Sequence, residues 1–392
     1  MKNPIIYLII VIDFLVLLMQ TSQLSISYNE ASLLYGETSV LQLIIRFFLY
    51  LLGENDFALR LPMILMHTAS VFFLYKLSNT YISSQRNKNW LLLIFVLLPG
   101  VMSSALVVND AGLLILGLFI FTYIYQRSSL LWSNVLLTLY LFVSSGFIYL
   151  YFGMMVFYLY TKKKVYALYS IGLFFLSMYL YGFQTYGIPR GHFLDTLGVY
   201  AAIFTPIIFI FIFYALYRRY LVGKTDFIWY ISSSTLIFSL LLSLRQKIQL
   251  EYFAPYLMIA LPQVAQTFIH SYRIRLPRFR KRYKLIFGIS LFLLSVNYFV
   301  VIFNKELYLH MDNPKKHFVY ESHIAQELAK ELHKRNINCV KTNSEMQLRL
   351  KFYGIENCQE NILTEDDFTN NVTISYKLKT LYRANVTKIN RQ

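Results

Sequence analysis

Seven acidic side chains, Glu30, Glu37, Glu54, Asp56, Asp110, Asp195 and Glu251, fall in one alternate set of connections between the long apolar runs of this chain. Five cations share those connections: Arg46, Arg60, Arg190, Arg245 and Lys247. The other set carries 17 basic residues, including Lys162, Lys163, Lys164 and seven between Arg273 and Lys284, with Asp226 as its single acid. A carboxylate can take a proton from a hydroxyl or an amine. Arg offers two-pronged contact to phosphate oxygens, and Lys a point charge. Acids confined to one side therefore suggest a site on that side. Arg245 and Lys247 stand close together there, against the charge trend, which calls for a reason beyond cationic side chains reaching out from the end of an apolar run.

The elements that must position these groups are membrane spans. Hydrophobic residues make up 57% of the 392 and charged ones 15%, against roughly 25% charged in soluble domains. A helix needs about 20 apolar residues to cross the hydrocarbon, and eleven runs are candidates: 4–22, 57–80, 90–108, 111–126, 131–143, 147–161, 165–182, 196–217, 226–244, 252–270 and 284–303. Short loops rich in Lys and Arg stay cytoplasmic, so the 17-cation set faces in and the acids face out. The stretch 131–161 is split at Ser144-Ser145-Gly146, because one long helix there would reverse every later loop and turn the basic runs outward. The net charge of +17 does not point to nucleic acid: it is accounted for by inner loops beside anionic headgroups. The first run lacks a small-residue cleavage pattern after it and is read as a retained span rather than a signal peptide. Asp13 lies inside it, where an ionisable group is costly and needs a partner or a role.

Two further segments complete the organisation. In the outer loop 23–56, Val40–Leu52 is apolar but too short to cross, and it reads as a helix lying in the membrane plane, with a re-entrant or extra span as the alternative. Beyond Phe303 the composition turns soluble, with 14 basic and 11 acidic residues in 305–392. His323–Lys334 has helical periodicity and Val372–Tyr376 alternates as a strand. The expected architecture is thus an all-α polytopic membrane domain of about eleven spans over 1–303, followed by a small extracytoplasmic α/β domain over 304–392. Both cysteines, Cys339 and Cys358, fall in that tail, where an oxidising compartment allows them to pair; two unrelated thiols are the plainer alternative.

Four local sequences, in order and all on the acidic face, carry a resemblance. They are Tyr28-Asn29-Glu30 after the first run; Gly53-Glu54-Asn55-Asp56-Phe57-Ala58-Leu59-Arg60-Leu61-Pro62 leading into the second; Val107-Val108-Asn109-Asp110-Ala111 between the third and fourth; and Ser243-Leu244-Arg245-Gln246-Lys247 with Tyr252-Phe253-Ala254-Pro255-Tyr256 and Ala260-Leu261-Pro262 near the end. Together they resemble the C-type (GT-C) membrane glycosyltransferases, in particular glycosyltransferase family 39, which includes protein O-mannosyltransferases and the lipid A aminoarabinose transferase. The resemblance covers about 1–303; the tail matches only loosely.

The resemblance implies an inverting transfer of a sugar from a polyprenyl-phosphate carrier to a lipid, glycan or protein acceptor on the outer face of a bacterial inner membrane. Glu30 is the expected base, although Asn29 stands where the family carries the paired Asp. Asp110 is a second carboxylate that orients the acceptor or supports Glu30, with capping of the fourth span as its structural alternative. Arg245 and Lys247 are the expected phosphate contacts. Arg60 more naturally holds the first loop through Glu54 or Asp56, and Arg190 with His192 more naturally forms an ordinary polar loop; both cations are kept as reserve phosphate contacts. No required metal or other cofactor is expected. The competing readings are a transporter or flippase of a lipid-linked saccharide and a catalytically inactive relative that binds polyprenyl phosphate.

Overall fold

The computed structural model describes residues 4–182, 191–365, 371–377 and 379–388. Helices dominate. In chain order they are α1 (Pro4–Thr21), α2 (Tyr28–Tyr35), α3 (Val40–Leu52), α4 (Asp56–Tyr81), α5 (Gln85–Leu97), α6 (Pro99–Leu106), α7 (Asp110–Arg127), α8 (Leu130–Tyr140) and α9 (Ile148–Tyr160). There follow α10 (Lys164–Tyr181), α11 (Phe193–Phe204), α12 (Pro206–Leu221), α13 (Phe227–Ser243), α14 (Ala254–Met258), α15 (Leu261–Ile274) and α16 (Pro277–Ile302). The last two, α17 (Ala325–Lys334) and α18 (Ser344–Lys351), precede strands β1 (Asn361–Glu365), β2 (Val372–Tyr376) and β3 (Lys379–Lys388).

Each of the eleven apolar runs forms a helix or a pair of helices. Four of these, α1, α4, α10 and α16, are long and apolar enough to cross a membrane, and up to seven spans result if each of three bent pairs counts as one. The bends fall between α2 and α3 (93°), α5 and α6 (60°), and α11 and α12 (103°). The last two bends precede Pro99 and Pro206, whose rings lack the N–H needed to continue a helix. The break between α8 and α9 lies at Ser144-Ser145-Gly146, where a short 3-10 turn spans Ser145–Phe147.

The chain packs as two compact units, one of residues 1–14 and 63–298, the other of 15–62 and 299–392. The smaller unit thus takes in the outer loop, the end of α1 and the first residues of α4 together with the C-terminal tail. In the larger unit α9 packs on α10 and α13. Gly153 permits that approach: a Cβ there would stand 2.7 Å from the Ile231 backbone. Asp13 finds its partner here, since its Oδ2 lies 2.6 Å from Nε2 of the buried His67, whose ring stacks on Phe95.

In the smaller unit the sheet is antiparallel in the order β1-β3-β2. Its inward side chains Leu363, Val372, Ile374 and Ala384 meet Leu328 and Leu332 of α17 and Leu350 of α18 in one core. Cys339 and Cys358 form a disulfide. The outer loop is tied to this domain through its backbone: Ser25 N–H donates to Ser322 O at 2.7 Å, and Arg349 Nε to Ile26 O at 3.1 Å. Helix α3 buries Leu41, Ile45 and Leu49 and exposes Leu43, Phe47, Tyr50 and Leu51. Its cation, Arg46, donates to the Leu34 carbonyl.

Candidate functional site

In the smaller unit the expected base is enclosed. Ser27 and Glu30 form a reciprocal cap at the start of α2: Ser27 N–H donates to Glu30 Oε2 at 2.8 Å, and Glu30 N–H to Ser27 Oγ. Such a box satisfies helix-start amides that otherwise lack acceptors. The same carboxylate accepts from Arg60, Nε to Oε1 at 3.1 Å and Nη2 to Oε2 at 2.8 Å. Arg60 also donates to the Leu24 and Ser25 carbonyls and lies 3.6 Å from Asp56. Asp56 in turn accepts from the Tyr353 hydroxyl at 2.7 Å and from Gln326 at 3.1 Å. The Gly53–Pro62 segment therefore anchors the C-terminal domain to the outer loop. Arg60 is spent on Glu30, Asp56 and backbone oxygens, a wider hold on the loop than the expected bond to Glu54 or Asp56 alone. Neither Glu30 nor Arg60 presents a free face to a substrate in this arrangement.

The larger unit holds a different constellation. Asp110 opens α7, but the helix cap is Asn109, whose side chain accepts from Ala111 N–H. Asp110 is thereby released from capping, and its Oδ2 instead accepts from the Tyr252 hydroxyl at 3.2 Å. Both Asp110 and Glu251 are half-buried, neither sealed nor fully solvated. Burial raises the Asp110 carboxyl above its ordinary range, partly opposed by the Tyr252 hydrogen bond. Burial also raises Glu251, and the nearby Asp110 charge pushes it the same way. Asp110 stands one residue ahead of the apolar run 111–126, and Glu251 lies on the 3-10 turn Leu250–Tyr252.

Two aromatic residues fix this corner. The Tyr252 ring fits against Gly146, where a Cβ would come within 2.8 Å of it, and Tyr256 donates to the Gly146 carbonyl at 2.7 Å. The Ser-Ser-Gly break thus seats the ring whose hydroxyl holds Asp110. Arg245 and Lys247 sit on the turn joining α13 to that 3-10 turn, both exposed, and neither forms a salt bridge with a described residue. The chain runs directly from these cations into Glu251 and Tyr252. His192 N–H donates to Ser243 O at 2.8 Å, which brings the 191–195 segment against the same turn, and His192 Nδ1 lies 3.3 Å from Asp195. Arg190 lies outside the described residues.

The sequence reading singled out Asp110, Arg245 and Lys247 but assigned Glu251 no role. Its position four residues after Lys247, beside the Tyr of the late element, was the available signal. Among the described residues no group of three or more His, Cys, Asp or Glu side chains gathers as a metal site. No protein-family model and no curated protein matches the chain.

Proposed function

We propose that this protein is a membrane glycosyltransferase that moves a sugar from a polyprenyl-phosphate donor to an acceptor on the outer face of a bacterial inner membrane. Its eleven helical runs all cross in this reading, with the N-terminus cytoplasmic and the tail periplasmic. The disulfide in the tail supports an oxidising compartment, and the outward apolar face of α3 suits a helix lying in the membrane plane.

The observation that carries the proposal is the pair of exposed, unbridged cations on a turn that leads into two half-buried carboxylates of raised proton affinity. The base moves from Glu30, which is enclosed by Arg60, to Asp110, with Glu251 beside it. In the reaction the acceptor oxygen or nitrogen attacks the anomeric carbon as its proton passes to the Asp110 carboxylate. The bond from that carbon to the phosphate oxygen breaks on the opposite side, and polyprenyl phosphate leaves with the electron pair. Arg245 and Lys247 stabilise the phosphate charge. No step needs a metal. A raised carboxylate affinity suits a general base, whose efficiency grows as its pKa nears the working pH.

Native mass spectrometry of the gently purified protein tests this. Wild type is expected to retain a polyprenyl-phosphate sugar, the Arg245→Ala/Lys247→Ala variant to lose it, and Asp110→Asn to keep it. Equal retention by all three removes the two cations from the site. The second reading, a non-catalytic relative that binds polyprenyl phosphate, is favoured by the enclosure of Glu30 together with Asn29; it requires lipid retention with no turnover in wild type.

A further inference from the structure

A polar cavity of about 190 Å³ opens in the larger unit, lined by neither Asp110 nor Glu251. It lies among the end of α4 with the turn after it (Tyr81, Ser83, Ser84), the first turn of α5 (Asn87), and the last turns of α15 (Gln266, His270, Arg273). A single ordered water needs only about 10–15 Å³, so the space suits a group of several heavy atoms.

The hydrogen-bond inventory of the lining decides the ligand's chemistry. The Tyr81 hydroxyl is already used: it donates to Asp226 Oδ2 at 2.8 Å and lies 3.3 Å from Gln126 Nε2 and 3.4 Å from Gln263 Nε2. Gln266 accepts from Arg219 Nη1 at 2.9 Å through its side-chain oxygen, which leaves its NH₂ as a donor. Ser84 precedes α5 without making a side-chain capping bond, so its hydroxyl is available too. Arg273 supplies a guanidinium, and no carboxylate lines the cavity. One donor carries full positive charge, and the first turn of α5 adds the positive end of a helix dipole. Arg86 and Arg275 are close by in sequence, and Arg219 reaches the lining through Gln266.

We propose that this cavity binds a phosphate group, with Arg273 as its charged contact and Ser84, Asn87 and Gln266 as neutral donors. The site is independent of the transferase reading and belongs to the basic face, opposite in charge character to the acidic connections. The phosphate can be borne by a lipid headgroup or be free in solution.

Titration of the purified full chain in neutral detergent, followed by native mass spectrometry, separates these cases. The probes are phosphatidic acid, diacylglycerol as its phosphate-free counterpart, and inorganic phosphate as competitor. Wild type is expected to bind phosphatidic acid over diacylglycerol. Arg273→Gln is expected to weaken that binding about tenfold, the loss of one charge-assisted contact. Arg278→Gln, on the same basic stretch but outside the cavity, is expected to leave it unchanged. Asn87→Leu provides a second lining variant should Arg273→Gln fold poorly. Displacement of phosphatidic acid by inorganic phosphate assigns the site to soluble phosphate; resistance to it assigns the site to a lipid headgroup. Equal losses in the Arg273 and Arg278 variants, or equal binding of diacylglycerol, overturn the proposal.

Discussion

Arg60 and Glu30 meet in a two-pronged ion pair, Nε to Oε1 at 3.1 Å and Nη2 to Oε2 at 2.8 Å, with side chains 1% and 0% exposed. Its two members come from two of the four short sequences singled out in the sequence, and its geometry is that of a structural anchor. Removing one partner of such a pair strands a buried charge, which typically costs about 3–5 kcal/mol. Arg60→Met is therefore expected to lower the thermal midpoint of the purified protein sharply, and Glu30→Gln to do so as well. A Glu30→Gln protein that melts like wild type but no longer turns over would instead return the base to Glu30.

Asp110→Asn is expected to fold normally and to lose about 10²–10⁴ in transfer rate, the usual worth of a positioned base. Release of polyprenyl phosphate from co-purified donor lipid reads this directly. Retained donor with lost turnover supports Asp110 as the base; undiminished turnover excludes it.

The pH profile follows from the bond between Tyr252 and Asp110. That bond holds the Asp110 affinity down while burial raises it. A base works only when deprotonated, so activity falls on the acid side, with its limb above the ordinary carboxylate range. Tyr252→Phe removes the lowering contact and is expected to move that limb to higher pH. A limb that stays in place separates Tyr252 from the titration of the base.

The C-terminal domain has its own acid sensitivity. Burial is the main cause that pushes His323 from 6.5 down to about 3, with Lys305 and His317 adding to it, and burial lowers His317 as well. His323 is held neutral by its surroundings, its Nδ1 2.9 Å from the Tyr308 hydroxyl. The unfolded chain binds a proton below about 6.5 that the folded one refuses, so stability rises with pH across this window. The contribution is complete above the unfolded value and is lost progressively as pH falls toward 3. Thermal melts between pH 7 and pH 4 are expected to show this decline, and His323→Phe to flatten it.

The disulfide joins Cys339 and Cys358, 19 residues apart. Closing a loop of that length restricts the unfolded chain by about 3 kcal/mol on the chain-entropy account. Cys339→Ser/Cys358→Ser is expected to destabilise the C-terminal domain by about that amount. Denaturant melts with and without reductant measure it, and a reductant-insensitive wild type counts against a stabilising bond.

Local pattern was enough to reveal the helices at the eleven apolar runs, the break at Ser144-Ser145-Gly146, the helix Val40–Leu52 and the strand Val372–Tyr376. Each of these depends on the periodicity or apolar length of one segment, or on a turn-forming break within it. Which side chains meet was decided by the tertiary structure. Glu30 joins Arg60 across 30 residues, Asp13 joins His67 across 54, Tyr252 reaches Asp110 across 142, and Tyr353 reaches Asp56 across 297. A helix pattern tells which residues share a face, but the neighbour that face meets depends on how many helices pack at once. For that reason Asp110 could be read equally as a cap or as an acid until Asn109 was seen to take the cap. Glu30 likewise has no partner legible in the sequence, and the fold brings Arg60 onto it.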